Sequence, residues 1–289
     1  MKLRYKFIIG TTVFFSLNLL CKGLTGNFDP EELVSSSPTG QKWDTLTLEQ
    51  DFPIDAFLKQ KFHYLGKGHQ AFVFASEDGE HVLKLFKPHY PHIEFFGESF
   101  NFTYIPFAKW FYRTFSKGYF AKCKERDLIS YYNARTVFQK ESLTEYVHLT
   151  TTSHITEKLH LLDKIRIARE MDPNTICFVI QKRVEPLHSV VSRLLKEDKS
   201  EDIRTILQGM KEILTRRAEL KFYKPTHKFH VNFGCLGLTP VQLDIGNLVT
   251  AEELGIDAPS VDANTSLKRL KAWADLRYPA LSPFVDEIL

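Results

Sequence analysis

Two short stretches, far apart in the chain, hold residue types that handle phosphate and divalent metal. The first runs Leu65-Gly66-Lys67-Gly68-His69-Gln70-Ala71-Phe72-Val73-Phe74. Glycines in a tight turn let backbone N–H groups approach phosphate oxygens with no Cβ in the way, although a pair of glycines in a hairpin also serves as nothing more than a turn. Lys84, ending Val82-Leu83-Lys84, supplies a cation where phosphates held under that turn would lie; a solvated strand lysine is the plain alternative. The second stretch is Asn232-Phe233-Gly234, followed twelve residues after Asn232 by Asp244-Ile245-Gly246. An Asn amide oxygen and an Asp carboxylate at the two ends of a hairpin are hard donors suited to Mg²⁺ carrying nucleotide phosphates. Asp244 sits in the apolar run Val241-Gln242-Leu243-Asp244-Ile245. Burying a carboxylate there unpaired is costly, so a metal, a cation or a hydrogen-bonding turn must neutralise it.

Elements must hold these residues in place. From His63 to Lys87 the pattern is strand, glycine turn, strand, Asp78-Gly79 turn, strand, and apolar alternation at Phe72, Phe74, Val82, Leu83 and Leu85 predicts antiparallel hairpins. Residues 121–140 read as a helix with Glu125, Leu128 and Tyr132 on one stripe. Two further strands are expected at 159–168 and 175–182, parted by Asp172, Pro173 and Asn174. Beyond Pro186 the chain turns helical. Ser200 reads as an N-cap, followed by Glu201 and Asp202 in the first turn and by Ile203, Ile206, Leu207, Met210, Ile213 and Leu214 on one face. Asn232 to Gly246 reads as a hairpin turning through Gly237, Leu238, Thr239 and Pro240, and residues 266–276 as a last helix.

Taken together, these residues resemble the protein-kinase-like fold over residues 62–250. The first stretch is similar to the family's Gly-x-Gly-x-x-Gly-x-Val, with Gly66 and Gly68 in place, Ala71 where the third glycine stands, and Val73 matching the valine. The resemblance makes Lys84 the phosphate-binding lysine, Glu125 its helix partner, and 175–184 the strand that enters the hinge. It makes Asn232 the metal-binding asparagine and Asp244-Ile245-Gly246 the counterpart of Asp-Phe-Gly. The implied fold is α+β and two-lobed: an antiparallel five-stranded small lobe at 53–184, with an aromatic insertion at 88–120, and a reduced helical large lobe at 185–289.

Two departures bear on activity. The family's catalytic aspartate lies five residues before the asparagine, where this chain has His227, and Arg216 to Val231 contains no aspartate. Loss of a positioned acid–base group costs about 10²–10⁴ in rate. A histidine can accept a proton at neutral pH, so His227 is the candidate base, and an ordinary loop histidine is the alternative. Only 45 residues follow Asp244, too few for a full peptide-substrate platform.

The N-terminus and the composition set the setting. Lys2, Arg4 and Lys6 precede an apolar, uncharged stretch from Phe7 to Leu20, the layout of an export signal over 1–23, either cleaved near Cys21–Gly23 or kept as a membrane anchor. Residues 24–52, with Ser35, Ser36, Ser37, Pro38, Thr39 and Gly40, read as a linker. Twelve aromatics fall in the 26 residues from Phe95 to Phe120, interleaved with Lys109, Arg113 and Lys117; they suit a membrane surface, a protein-docking face, or packing over the sheet. With 43% hydrophobic residues and a net charge of +3 the chain is not a disordered polymer, and no whole-chain charge calls for nucleic acid. The cysteines form no Cys-x-x-Cys pair; Cys177 and Cys235 lie in apolar runs and read as buried free thiols. The function expected is an exported or membrane-associated kinase-like protein that binds Mg and ATP with weak or absent phosphoryl transfer. The alternative is a non-catalytic pseudokinase scaffold that docks a protein or membrane through the aromatic insertion.

Overall fold

The computed structural model describes residues 2–26, 28–35, 48–68, 70–87, 92–95, 98–101, 117–222, 228–246, 248–253 and 262–288. The fold is α+β, built on a seven-stranded mixed sheet. Its strands are β1 (Lys61–Lys67), β2 (Ala71–Ser76), β3 (His81–Phe86), β6 (Thr144–His148), β7 (Leu159–Leu162), β8 (Ala168–Met171) and β9 (Phe178–Lys182), in the order β6-β9-β3-β2-β1-β7-β8. A two-stranded ribbon joins β4 (His92–Phe95) to β5 (Glu98–Asn101), and a three-stranded sheet joins β10 (Glu185–Pro186), β11 (Phe233–Leu236) and β12 (Thr239–Gln242).

The sheet corrects the expectation of five antiparallel strands. The segment 159–168 is not one strand but the start of a hairpin: Asp163 Oδ1 accepts the N–H groups of Ile165 and Ile167, and Arg166 takes a left-handed φ of 63° to turn the chain. The return strand β8 is exposed except at Met171, so its pattern lacks alternation. β6 is buried on both faces apart from Glu145, which also removes alternation. β1 runs parallel to β7 but antiparallel to β2, so the sheet is mixed.

The chain divides into two compact units, Met1–Thr47 with Pro53–Lys124 and His148–Phe178 in the first, and Leu48–Phe52 with Glu125–Val147 and Val179–Leu289 in the second. In unit 1 the β2–β3 register pairs Ala71 with Phe86, Val73 with Lys84 and Ala75 with Val82 on one face; Phe72 with Leu85 and Phe74 with Leu83 lie on the other. Phe28, in the segment after the N-terminal helix Lys2–Thr25, lies on that second face against Phe72 and Phe74, and both Phe28 and Leu33 are buried. Residues 28–35 therefore carry core side chains rather than linker character, while 36–47 lie outside the described residues.

In unit 2 the helix Ser200–Glu219 buries Ile203, Ile206, Leu207, Met210, Ile213 and Leu214, as the periodicity requires. Its cap differs: Ser200 is the first helical residue, and Lys199 stands at the cap without a side-chain bond. Gly209 lets this helix close on β12, where a Cβ would meet Pro240 Cγ at 2.7 Å. The helix beginning at Lys117 ends at Thr136, and its buried stripe runs through Leu128, Tyr131 and Ala134 rather than Tyr132. The last helices are Ala263–Arg277 and Ser282–Ile288. Of the 88–120 insertion only the backbone of β4, β5 and the first turn of that helix is described. Among the described residues no helix is long and apolar enough to cross a membrane. Cys177 and Cys235 are buried free thiols, and burial pushes Cys235 up to about 12.

Candidate functional site

In unit 1 the glycine-rich stretch ends β1 and opens β2. A register shift between Tyr64 and Gly66 sets Gly66 opposite Val73, and the Gly68 N–H closes the turn on the Ala71 carbonyl at 2.9 Å. Neither glycine is demanded by its surroundings. Among the described residues a Cβ on Gly66 would meet nothing within 4 Å, and one on Gly68 only the Ala71 carbonyl at 3.9 Å. The positive-φ glycines among the described residues are Gly26, Gly79 and Gly237, so the backbone of Gly66 and Gly68 suits any residue. Open space over an undemanding glycine pair is what a closely approaching ligand needs. Val73 and Lys84 stand opposite one another on the same face as Gly66.

In unit 2 backbone bonds bring Asn232 and Asp244 together. The Asn232 carbonyl accepts the N–H of Leu243 at 2.7 Å and of Asp244 at 3.3 Å. Asp244 Oδ1 accepts the Gly246 N–H at 3.1 Å, so the carboxylate does cap its own turn. Gly234 between them is structurally required: its Cβ would meet Val184 Cγ2 at 2.5 Å. Behind Asp244 lies a buried polar group. Gln242 Nε2 donates to the Asp244 carbonyl at 2.9 Å, and Arg217 Nη1 reaches Gln242 Oε1 at 3.5 Å. Arg217 is only 5% exposed; burial lowers its pKa to about 10, against the attraction of the Asp244 carboxylate. The Tyr131 phenol is pushed up by burial, then by the nearby Asp244 and Asp127 carboxylates. Arg217 is thus a buried cation whose charge favours the Asp244 carboxylate, while the carboxylate's own hydrogen bond goes to the Gly246 N–H.

The expected residues are distributed as follows. Gly66, Gly68, Ala71, Val73 and Lys84 belong to unit 1; Glu125, Asn232 and Asp244 belong to unit 2. His227 lies outside the described residues. Sequence reasoning missed Arg217, which left a signal: it falls three residues after Leu214, in phase with the buried stripe of its helix. It also missed Lys87, whose ammonium donates to the Gly68 carbonyl and sits 4.7 Å over the Phe72 ring. Burial, then the neighbouring Lys67, brings Lys87 down to about 8.

Among the described residues no cluster of three His, Cys, Asp or Glu could cage a metal by itself. Mg²⁺ bound along with phosphates needs only one or two protein oxygens, and the backbone bonds set Asn232 and Asp244 side by side. In such a site the ion would neutralise phosphate charge. No known family, curated protein or solved structure matches the chain.

Proposed function

We propose that this chain is a kinase-like nucleotide-binding protein, exported or membrane-associated, that takes Mg-ATP and transfers phosphate weakly or not at all. Gly66, Gly68, Ala71 and Val73 line the phosphate side of the loop, and Lys84 supplies the cation. Asn232 and Asp244 hold the Mg²⁺ ion. The observation that carries the reading is the glycine pair: among the described residues neither Gly66 nor Gly68 meets packing that excludes a side chain, and approach of a ligand would account for the two glycines. The reduced activity follows from His227 standing where an acid–base aspartate would be needed.

Thermal unfolding with and without Mg-ATP tests the reading. At one hundred times its dissociation constant a single-site ligand stabilises by about 2.7 kcal/mol. The wild type should gain this, and Asp244→Asn should lose the part that depends on Mg²⁺. Transfer of labelled phosphate that survives His227→Ala removes His227 as the base. The absence of any aspartate between Arg216 and Val231 favours a second reading, a non-catalytic scaffold that docks a protein or membrane through the aromatic segment 88–120. That reading prevails if Mg-ATP stabilises neither the wild type nor Asp244→Asn.

A further inference from the structure

Within unit 1 the glycine-rich loop is held from the face opposite Lys84. Lys87 follows β3 two residues after Leu85 and so shares the face of Phe72 and Leu85, away from Val73 and Lys84. Its backbone N–H donates to the Gln70 carbonyl at 2.9 Å, and its ammonium donates to the Gly68 carbonyl. The same ammonium lies over the Phe72 ring, a favourable cation–π position. Phe28 meets Phe72 edge-on, the centroids 5.2 Å apart at 85°, and meets Phe74 at the same distance.

Phe28 in turn is fixed by what precedes and follows it. Gly26 leaves the N-terminal helix with a φ of +66°, so close to Tyr64 that a Cβ would meet the phenol oxygen at 2.7 Å. Lys164 Nζ donates to the Gly23 carbonyl at 3.0 Å, and Leu33 is 2% exposed. An unbroken series of contacts therefore runs from the N-terminal segment through Phe28, Phe72 and Lys87 to the carbonyl of Gly68. We propose that the segment following the N-terminal helix braces the glycine-rich loop through these residues and sets the loop's readiness to receive phosphate. Lys87 is a positioning residue, because its ammonium is engaged by the loop carbonyl on the face of Phe72, while Lys84 stands with Val73 on the other face. Lifting residues 28–35 from the sheet releases Phe72 and loosens the loop. The consequence for phosphate rests on the nucleotide-binding reading; the brace itself does not.

Hydrogen exchange on the full chain without nucleotide tests the brace directly, at the amides of Gly68 and Lys87. Lys87→Met should speed both by about tenfold, the effect of losing one charge-assisted hydrogen bond. Lys87→Arg should stay near the wild type, and Phe28→Ala should speed both amides while those of Phe233–Leu236 stay protected. If Phe28→Ala unprotects Phe233–Leu236 as well, Phe28→Leu takes its place. Unchanged exchange at Gly68 and Lys87 in the Lys87 and Phe28 variants overturns the proposal, as does an additive effect in the double variant. Mg-ATP titration of the same proteins separates the two readings: a wild type that binds no nucleotide while its loop exchange responds keeps the brace and ends the nucleotide reading. Nucleotide binding with an unresponsive loop does the reverse.

Discussion

Gly66 and Gly68 yield the sharpest prediction for individual residues, because structure and function push them in opposite directions. A glycine at ordinary φ in or beside a strand destabilises relative to alanine by about 0.5–1 kcal/mol through the freedom it has in the unfolded chain. Gly66→Ala and Gly68→Ala should therefore leave denaturant midpoints equal or slightly raised, yet weaken Mg-ATP binding, as read by titration. A lowered midpoint would show that the glycines serve the fold. Arg217 and Gln242, 5% and 1% exposed and hydrogen-bonded to each other, carry a second prediction. Removing one partner of a buried hydrogen bond strands the other and costs about 1–3 kcal/mol, whereas replacing both with apolar groups is far milder. Denaturation of Arg217→Met, Gln242→Leu and the double variant should accordingly be non-additive, with the double variant losing less than the sum of the two single losses. The sequence made the need for a counter-charge at Asp244 legible, since the apolar run around it is plain. It did not point to Arg217, because an arginine in phase with an apolar stripe is usually taken as a residue whose charged head reaches solvent.

Among elements, the loops flanking β6 and β9 are pinned by a buried histidine whose protonation the fold opposes. His148 Nδ1 lies 2.8 Å from the Ile176 carbonyl and Nε2 2.9 Å from Thr152 Oγ1, and the ring stacks on Phe178 at 4.9 Å. Burial lowers its pKa from 6.5 to about 4; the Ile176 carbonyl and Asp172 oppose the shift and His154 adds to it. The neutral ring is the native form, so the unfolded chain binds the extra proton between pH 6.5 and 4. Stability is full above that window and falls through it as pH drops, by on the order of 3 kcal/mol for this group. Urea midpoints of the wild type should decline between pH 6.5 and 4, and those of His148→Gln should decline much less. Asp55 and Asp78, whose carboxyls are held below the usual range, act only at lower pH. The same region shows what pattern reading catches at this scale. Helix Ser200–Glu219 was legible because one face is buried and the other is wet. β6 was not, because Thr144, Tyr146, Val147 and His148 are all buried and leave no period to read. β8 was missed for the opposite reason, being exposed at Ala168, Arg169 and Glu170.

For the molecule as a whole, the question is where the folded body begins. A polar, serine-rich stretch made 24–52 read as a linker, and that composition hid two core residues, Phe28 and Leu33, within it. Isolated apolar residues in a short segment give no periodicity, so only the sheet face they cover shows their role. Phe28 is 8% and Leu33 2% exposed, and full burial of such a side chain stabilises by about 1.5–3 kcal/mol. A chain beginning at Leu24 keeps both residues and should match the full chain's urea midpoint closely, whether or not the preceding segment acts as an export signal. A chain beginning at Ser36 forgoes both, roughly 3–6 kcal/mol by the same measure, which is a large share of a stability of about 5–15 kcal/mol. It should unfold at markedly lower urea and expose Phe72 and Phe74 to dye binding. Equal midpoints for the two shortened chains would mean that the segment does not belong to the core. A loss confined to the chain beginning at Ser36 would place the boundary of the folded body between Leu24 and Ser36, in the segment that carries Phe28 and Leu33.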